Sequence, residues 1–355
     1  MGLFFVQARN FGEKWETVFD TFLTKVCYLP PNSFGGIAMR TTIALAAVVF
    51  WSLLSPVITD AQARRGTGFS DWSAPANIGP PINTEWDDNV PVLTKDEKTL
   101  FFTSNRPGGS GGEDIWVSYR RNKNARWGQP VNLGPGINTE YTDRMRSITS
   151  NGRVILFQSD RPGGNGGTDI WAIARKNPND DLAWSRPVNL GPVINTGSNE
   201  LAAKYLFEDR PQNANLFFSS GRSGGFGGPD IYESAITDSG FAAPVNIFEL
   251  NSPSFEVCFW VRDDGLEIVF TSNRPDLTGD ANMYDLWVST RSSVYGNWSA
   301  PESLGSAVNA DGYLDANPML ASGDRALYFA SMRPNASGSS PNMDIYFSTR
   351  TPGRR

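Results

Sequence analysis

The most informative absence in the sequence is that of histidine, which does not occur among its 355 residues. A Ser-His-Asp or Cys-His catalytic arrangement, a histidine-ligated zinc site and a histidine general base all require this side chain. The sequence therefore excludes all three kinds of site. Any catalytic chemistry would have to use carboxylates, arginine, lysine, tyrosine or serine.

Cysteine is nearly absent, and positively charged residues form no run. The two cysteines are Cys27 and Cys258, and the position of Cys258 between Val257 and Phe259 favours a small buried apolar residue. The net charge is −6. Because phosphate binding needs concentrated lysine and arginine, this charge pattern argues against nucleic acid as a partner.

Long apolar runs are missing except for one near the N-terminus, and that run is short for a transmembrane helix. It covers about 43–54, follows Met39 and Arg40, and precedes the A-x-A sequence at 61–63. A short basic start, an apolar core and a small-residue cleavage site are typical of a secretory signal peptide. We therefore predict a signal peptide over 39–63.

The predicted signal peptide divides the chain. Residues 1–38 would lie upstream of the true start and outside the mature protein, the alternatives being a genuine long N-terminal region or a membrane anchor. The mature protein would be a single domain over 64–355, without a transmembrane span, in the periplasm or secreted. Removal of Cys27 would leave Cys258 without a partner for an internal disulfide.

Beyond this leader, two motifs alternate along the whole chain in five copies. The first contains the stretch SNRPGGSGGEDIW at 104–116, and the second begins as WSAPANIG at 72–79. The copies of the first motif lie at 101–120, 156–175, 217–235, 269–291 and 328–350. The copies of the second motif begin at 72, 127, 184, 241 and 298.

Each repeat predicts four short strands. In the first, these are VPVL at 90–93, KTLFFTS at 98–104, DIWVSYR at 114–120 and the edge-like QPVNLG at 129–134. Four antiparallel strands in a repeat of roughly 50 residues are the signature of a β-propeller blade. The predicted fold is all-β, a five-bladed propeller, with repeats at about 85–134, 140–191, 197–248, 253–305 and 312–350, plus 71–79.

The two ends of the repeat region predict how the ring closes. The last copy ends soon after its third strand, whereas the segment DWSAPANIG at 71–79 is a fourth-strand motif without a blade of its own. If this N-terminal strand completes the last blade, two exposed sheet edges disappear. We therefore predict closure by this strand, against a two-domain alternative with an unpaired edge at each end.

The alternation of SxRPGGxGGxDIW with WxxPVNLGxxINT resembles the WD40-like β-propeller repeat of the TolB type, over essentially all of 71–350. The resemblance implies an exported envelope protein, often a binding scaffold, whose relatives act near peptidoglycan-associated outer-membrane proteins. The predicted mature chain leaves no room for an extra N-terminal domain and has five copies rather than six, so the resemblance does not extend to TolB's particular partners.

One acidic position recurs in every repeat, in the connection that leads into the predicted first strand. Its members are Asp88, Asp143, Glu200, Glu256 and Asp315. Because first strands line the axis of a propeller, these five carboxylates are predicted to ring the mouth of the channel. They would need arginine partners, a cation or a basic ligand to offset their mutual repulsion.

Two further charged columns flank the glycine-rich loop. The arginines are Arg106, Arg161, Arg222, Arg274 and Arg333, and the aspartates are Asp114, Asp169, Asp230, Asp285 and Asp344. The arginine at the end of strand two and the aspartate at the start of strand three are predicted to pair across the hairpin. Their recurrence in every blade favours a structural role, because a catalytic residue is needed only once.

The glycine-rich loop has three possible interpretations: a phosphate-binding loop, a calcium-binding loop or a turn. A phosphate loop would need a following helix N-terminus or a Lys-Ser/Thr pair, and a calcium loop would need regularly spaced aspartates. The loop is therefore interpreted as a hairpin that needs positive φ. Copies four and five lengthen to DLTGDANMY at 276–284 and NASGSSPNM at 335–343, which breaks the symmetry and marks a place to look for function.

Two functions remain open. The first is an exported, non-catalytic binding propeller of the bacterial envelope, monomeric and without a cofactor, that holds a polypeptide or glycan at the channel mouth. Its binding residues would be the five acidic ones with the nearby aromatics Trp86, Tyr141 and Tyr313. The alternative is a glycan-active enzyme that uses two of the five carboxylates. Ca²⁺ at the mouth is a third, structural possibility.

Overall fold

A computed structural model describes residues 69–178, 180, 183–206, 214–275, 283–321, 323–334 and 342–352. The predicted signal peptide at 39–63, the upstream segment 1–38 and most of the long loops at 276–284 and 335–343 lie outside these residues. The described residues form twenty-one β-strands and no α-helix.

The strands are grouped into five antiparallel sheets. Each sheet is one blade and has an inner, a second, a third and a short outer strand. Blade 1 contains β2 (Asp88–Leu93), β3 (Thr99–Ser104), β4 (Asp114–Tyr119) and β5 (Val131–Asn132). Blade 2 contains β6 (Asp143–Ile148), β7 (Val154–Ser159), β8 (Asp169–Ala174) and β9 (Val188–Asn189). Blade 3 contains β10 (Glu200–Leu206), β11 (Asn215–Ser220), β12 (Asp230–Thr237), β13 (Gly240–Phe241) and β14 (Val245–Asn246).

Blade 4 contains β15 (Glu256–Val261), β16 (Glu267–Ser272), β17 (Asp285–Thr290) and β18 (Glu302–Ser303). Blade 5 contains β19 (Asp315–Ala321), β20 (Ala326–Ser331) and β21 (Asp344–Thr349), and its outer strand is β1 (Ala76–Asn77) from the other end of the chain. The predicted fold class, a five-bladed all-β propeller, is confirmed.

Closure of the ring follows the prediction. Ala76 and Asn77 of β1 pair with Phe347 and Tyr346 of β21. The backbone N–H of Asp88 also donates to Met343 O at 2.7 Å, and the residues that begin the other four inner strands donate in the same way to the preceding blade. The junction between the last and first blades is thus built like the rest, and it leaves no open sheet edge there.

The hydrophobic core lies between adjacent blades. Both faces of a second strand are covered by neighbouring blades, so successive side chains such as Phe101 and Phe102 of β3 are fully buried on opposite faces. Burial of one such side chain contributes about 1.5–3 kcal/mol. The position of Phe102 holds phenylalanine in every other blade as well, at Phe157, Phe218, Phe270 and Phe329, which explains why the motif is rich in phenylalanine.

The IN pair of the second motif ties each inter-blade linker to a third strand. In blade 1, the Asn138 amide accepts from Ile115 N and donates to Ile115 O, both at 2.9 Å, and it also donates to Asn132 Oδ1. Asn83 makes the same contacts with Ile345 across the closing junction. These asparagines hold the linkers in place, because each satisfies two backbone groups of a buried strand.

In four of the five blades, an arginine stacks on an aromatic ring at the end where the third strand finishes. Arg291 lies 4.3 Å from the ring centre of Trp298, and its Nε donates to Gly265 O at 2.6 Å. The other pairs of this kind are Arg120 with Trp127, Arg175 with Trp184, and Arg350 with Trp72. Blade 3 differs, because Ile236 and Phe241 occupy these places and pair through the extra strand β13.

Candidate functional site

The hairpin loops between second and third strands and the linkers that lead into inner strands lie at the same end of the propeller, which we call the loop face. A Cβ on Gly111 would come within 3.0 Å of the Thr139 carbonyl oxygen, and one on Gly166 or Gly227 would similarly meet Thr196 O or Pro253 O. Each loop thus rests directly on the linker of the next blade. These close approaches explain the glycines.

The expectation of positive φ holds for only one glycine in each of these loops. Gly108, Gly163 and Gly224 adopt φ of 91°, 96° and 93°. Most of the other glycines of these loops leave no space for a side chain, whereas a Cβ on Gly112 would lie 3.4 Å from its nearest neighbour, Thr142 Oγ1. No phosphate-binding geometry is involved, since no α-helix follows these loops in the described part of the chain.

The five acidic residues are the first residues of the inner strands rather than part of the preceding connection, and they do not form the predicted ring at the channel mouth. Asp88, Asp143, Glu200, Glu256 and Asp315 are each 0% exposed. The Asp88 carboxylate accepts from Thr84 N and Thr84 Oγ1, both at 2.7 Å, and from the Arg106 guanidinium at 2.5 Å. Its oxygens are therefore fully engaged inside the protein.

The same arrangement recurs in the other blades, where the partners are Arg161 for Asp143, Arg222 for Glu200, Arg274 for Glu256 and Arg333 for Asp315. The Arg222–Glu200 contact is the longest of those measured, at 3.7 Å. Burial raises the pKa of Asp315, against the opposing effects of Arg333 and Ser331. The contacts fit a structural role for the column.

The predicted pairing of each arginine with the aspartate across the hairpin is wrong. The arginine extends from the end of the second strand beneath the linker, where Arg106 also donates to Ile82 O at 2.5 Å and lies over the rings of Phe102 and Trp116. This position brings it to the inner strand. Arg106 therefore pairs with Asp88, not with Asp114.

The aspartates instead hold the glycine-rich loop and the outer strand. Asp169 Oδ2 accepts from Asn165 N at 2.6 Å and from Asn189 Nδ2 at 2.8 Å. Asp114, Asp230 and Asp344 accept from the outer-strand asparagine in the same way. The sequence did not indicate these asparagines as partners of the aspartates, because the asparagine of the PVN motif was interpreted only as part of an edge strand.

Aromatic side chains remain exposed on the loop face. Trp86 is 41% exposed and Tyr313 is 38% exposed, whereas Tyr141 is half-buried. Three further exposed aromatics lie at the junction of blades 3 and 4 and were not among the predicted site residues: Phe226, Phe248 and Phe255. Phe226 and Phe248 stack edge to face at 5.7 Å between ring centres. Phe226 and Phe248 occupy positions that hold serine, asparagine or glycine in blades 1 and 2, and Phe255 occupies a position that holds aspartate or threonine there.

A pocket lies on the propeller axis and is lined by all five inner strands. Each inner strand contacts the next around the axis, and β19 contacts β2. In every inner strand the register with the second strand slips at the same level. The residues within these bulges include Val90, Arg146, Ala202, Cys258 and Asn317, and all five line the pocket.

Arg146 is the charged residue among the pocket-lining side chains, and it is 8% exposed. Its Nη1 donates to Cys258 Sγ and to Asn317 Oδ1, both at 3.1 Å, and its Nε donates to Gln158 Oε1 at 2.7 Å. Burial lowers the pKa of the Arg146 guanidinium, and Cys258 partly opposes this effect. The pocket therefore holds a positive charge.

The interpretation of Cys258 as a buried apolar residue needs correction. It is half-buried, faces the pocket and contacts the Arg146 guanidinium. The sequence feature that could have indicated this site is a break in the repeat. The position of Arg146 is occupied in the other blades by Pro91, Ala203, Phe259 and Pro318.

The described residues also bear on the expectations about metal ions and membranes. Within them, no three histidine, cysteine, aspartate or glutamate side chains are grouped so that they could hold a metal ion. None of the structure's described segments forms a helix long and apolar enough to cross a membrane.

No protein-family model matches the chain, and no curated protein matches it. Among solved structures, an endo-arabinase from Bacteroides thetaiotaomicron is 15% identical, with 81% of this chain and 98% of that chain covered and a TM-score of 0.49. An α-L-arabinofuranosidase from Podospora anserina is 11% identical, with coverage of 80% and 98% and a TM-score of 0.47.

TolB from Acinetobacter baumannii is also among these structures, at 13% identity, with 82% of this chain and 68% of that chain covered and a TM-score of 0.45. TolB propellers and glycoside hydrolases are thus both similar to this chain, and neither type is singled out. At these identities and scores the similarities carry no argument about activity. The chain is a five-bladed β-propeller on the strength of its own strand topology.

Proposed function

We propose that the protein is an exported binding propeller of the bacterial envelope that holds a polypeptide or glycan on its loop face through exposed aromatic side chains. The observation that carries this proposal is a contrast on one face. The five carboxylates there are fully buried and paired with arginines, while Trp86, Tyr313 and Phe255 are exposed. Aromatic faces suit sugar rings and cationic or apolar peptide side chains.

The alternative function, hydrolysis of a glycan by the acidic residues, is less well supported. Glycoside hydrolysis needs two carboxylates that reach the substrate on either side of the scissile bond. Asp88, Asp143, Glu200, Glu256 and Asp315 are each removed from solvent and satisfied by internal donors. The burial of all five favours binding over hydrolysis.

The experiment compares the wild-type protein with the variant Trp86→Ala/Tyr141→Ala/Tyr313→Ala in capture from an envelope extract of the source organism. The matched control is Tyr295→Ala, which removes an 85% exposed tyrosine from the β17–β18 connection, away from the loop face. Circular dichroism checks that all three proteins fold. Samples treated with protease or with periodate identify the captured class as polypeptide or glycan.

We expect the triple variant to lose most of the captured material and Tyr295→Ala to retain it. Equal capture by all three proteins would place the ligand elsewhere, and capture of nothing specific by the wild type would reject a binding function for this face. Release of reducing sugar from the extract by the wild type, abolished in Asp143→Asn without loss of folding, would support the hydrolase instead.

A further inference from the structure

We infer that Arg146, together with Asn317 and Cys258, forms a binding site on the propeller axis for a small anionic group, a carboxylate by its charge and geometry. This site is separate from the aromatic residues of the loop face, and its test does not depend on the proposed function. Arg146 forms no ion pair with a carboxylate in the part of the chain that the structure describes, and Glu113, whose charge acts on Arg146, is itself paired with Arg144.

The burial of Arg146 makes its lack of a carboxylate partner energetically significant. Arg146 is more than nine-tenths buried, and its three hydrogen-bond acceptors are an amide oxygen of Gln158, an amide oxygen of Asn317 and the sulfur of Cys258. A guanidinium is always charged at physiological pH, and a charge removed from water without a counter-charge is strongly unfavourable. An anion in the adjoining pocket would supply that counter-charge.

The surrounding charges indicate a single negative charge on the ligand. Arg144 is paired with Glu113, and Lys204 pairs with Asp263 at 3.2 Å while it lies over the Trp260 ring. These neighbouring cations are thus already balanced. The single unbalanced charge of Arg146 matches a monoanion better than a phosphate dianion.

The geometry of the donors favours a carboxylate. The pocket that adjoins Arg146 is too small for a whole drug-sized molecule. A guanidinium presents parallel N–H donors that match the two oxygens of a carboxylate. The bulges aim Arg146 and Asn317 into the same pocket, where the Asn317 backbone adopts a φ of 55°.

The test uses Cys258 as a reporter, because its sulfur lies 3.1 Å from the Arg146 guanidinium. The full chain is alkylated with iodoacetate or with iodoacetamide, which differ mainly in the negative charge of the carboxylate. Both reagents need the same thiolate, so the ratio of their rates isolates the effect of reagent charge. Peptide mapping separates Cys258 from Cys27, and free cysteine provides the reference ratio.

At Cys258 of the wild type we expect the iodoacetate-to-iodoacetamide ratio to exceed that of free cysteine by about tenfold, a factor well within the attraction of a charge pair near 4 Å. Arg146→Met should bring the ratio to or below that of free cysteine, and Arg146→Lys should keep it raised. Sodium formate should slow both alkylations of the wild type relative to a bulky sulfonate buffer at equal ionic strength.

A wild-type ratio equal to that of free cysteine, together with no protection by formate, would overturn the inference. A raised ratio that persists in Arg146→Met would assign the attraction to another group and also overturn it. If Arg146→Met fails to fold, the formate protection of the wild type and the Arg146→Lys ratio still decide the question.

Discussion

Two kinds of buried arginine lie close to the inner strands, and they differ in what balances their charge. The five arginines beneath the loop face each pair with a buried carboxylate of the same blade, as Arg161 does with Asp143. Arg146 is equally buried, occurs once and has only neutral or sulfur acceptors among the described residues. The difference teaches that repetition marks structure in this propeller, whereas a break in the repeat marks a candidate for function.

Substitution of one arginine of each kind tests this contrast directly, and it should give the largest change in the free energy of unfolding. Arg161→Met leaves the Asp143 carboxylate buried and unpaired, so we expect the free energy of unfolding to fall by about 3–5 kcal/mol. Arg146→Met removes a buried charge that has no carboxylate partner, so the cost should be below about 1.5 kcal/mol. Urea unfolding of both variants measures the difference.

The second prediction concerns the packing of the loops on the loop face. Gly166→Ala would place a Cβ within 3.0 Å of the Thr196 carbonyl oxygen in the next blade, so we expect a loss of about 1–3 kcal/mol. Gly136→Ala is the matched control, because nothing lies within 4 Å of a Cβ there. Equal melting temperatures for the two variants would contradict close packing as the reason for the glycines.

A third comparison uses the end of the blades opposite the loop face. Arg291→Met removes the stack on Trp298 and the hydrogen bond to Gly265 O, for an expected loss of about 1–2 kcal/mol. Blade 3 dispenses with this pair, since Ile236 and Phe241 replace it. A double-mutant cycle with Trp298→Phe measures the coupling, and a coupling energy near zero would mean that the two side chains act independently.

The smallest expected effect is a change in stability with pH. Asp324 lies 3.6 Å from Arg262, but burial, with a contribution from Glu267, raises the pKa of its carboxyl to about 6. A raised folded-state pKa gives stability that is fully present below the unfolded value near 4 and is lost as pH rises through about 6.

Asp324→Asn removes this dependence and suits the backbone, which has a φ of 68°. We therefore expect the variant to gain stability over the wild type between pH 4 and about 6, on the order of 1 kcal/mol after allowance for partial exposure. Thermal unfolding across that range measures the gain. A difference that does not change with pH would show that the carboxyl does not titrate there.

The sequence predicted the fold because each blade repeats the same local preferences. Alternation in segments such as TLFFTS, turn residues between them and an unpaired fourth-strand motif at 71–79 were enough for the blade number and the closure. The aspartates begin the third strands, as predicted, whereas each arginine lies two residues beyond the end of its second strand. Their partners were not predicted correctly, because the arginine runs beneath the linker and reaches Asp88 rather than Asp114.

The sequence by itself determined what is periodic in this protein: five four-stranded blades, a ring closed by the N-terminal strand, and a loop of glycines in three of the blades. Only the tertiary structure decided what is buried and what is charged on the axis. Burial of Asp88 and exposure of Trp86, two residues apart, depend on contacts with a linker and an arginine. The pocket around Arg146 needs five inner strands to bulge at one level, and such convergence has no signature within any single repeat.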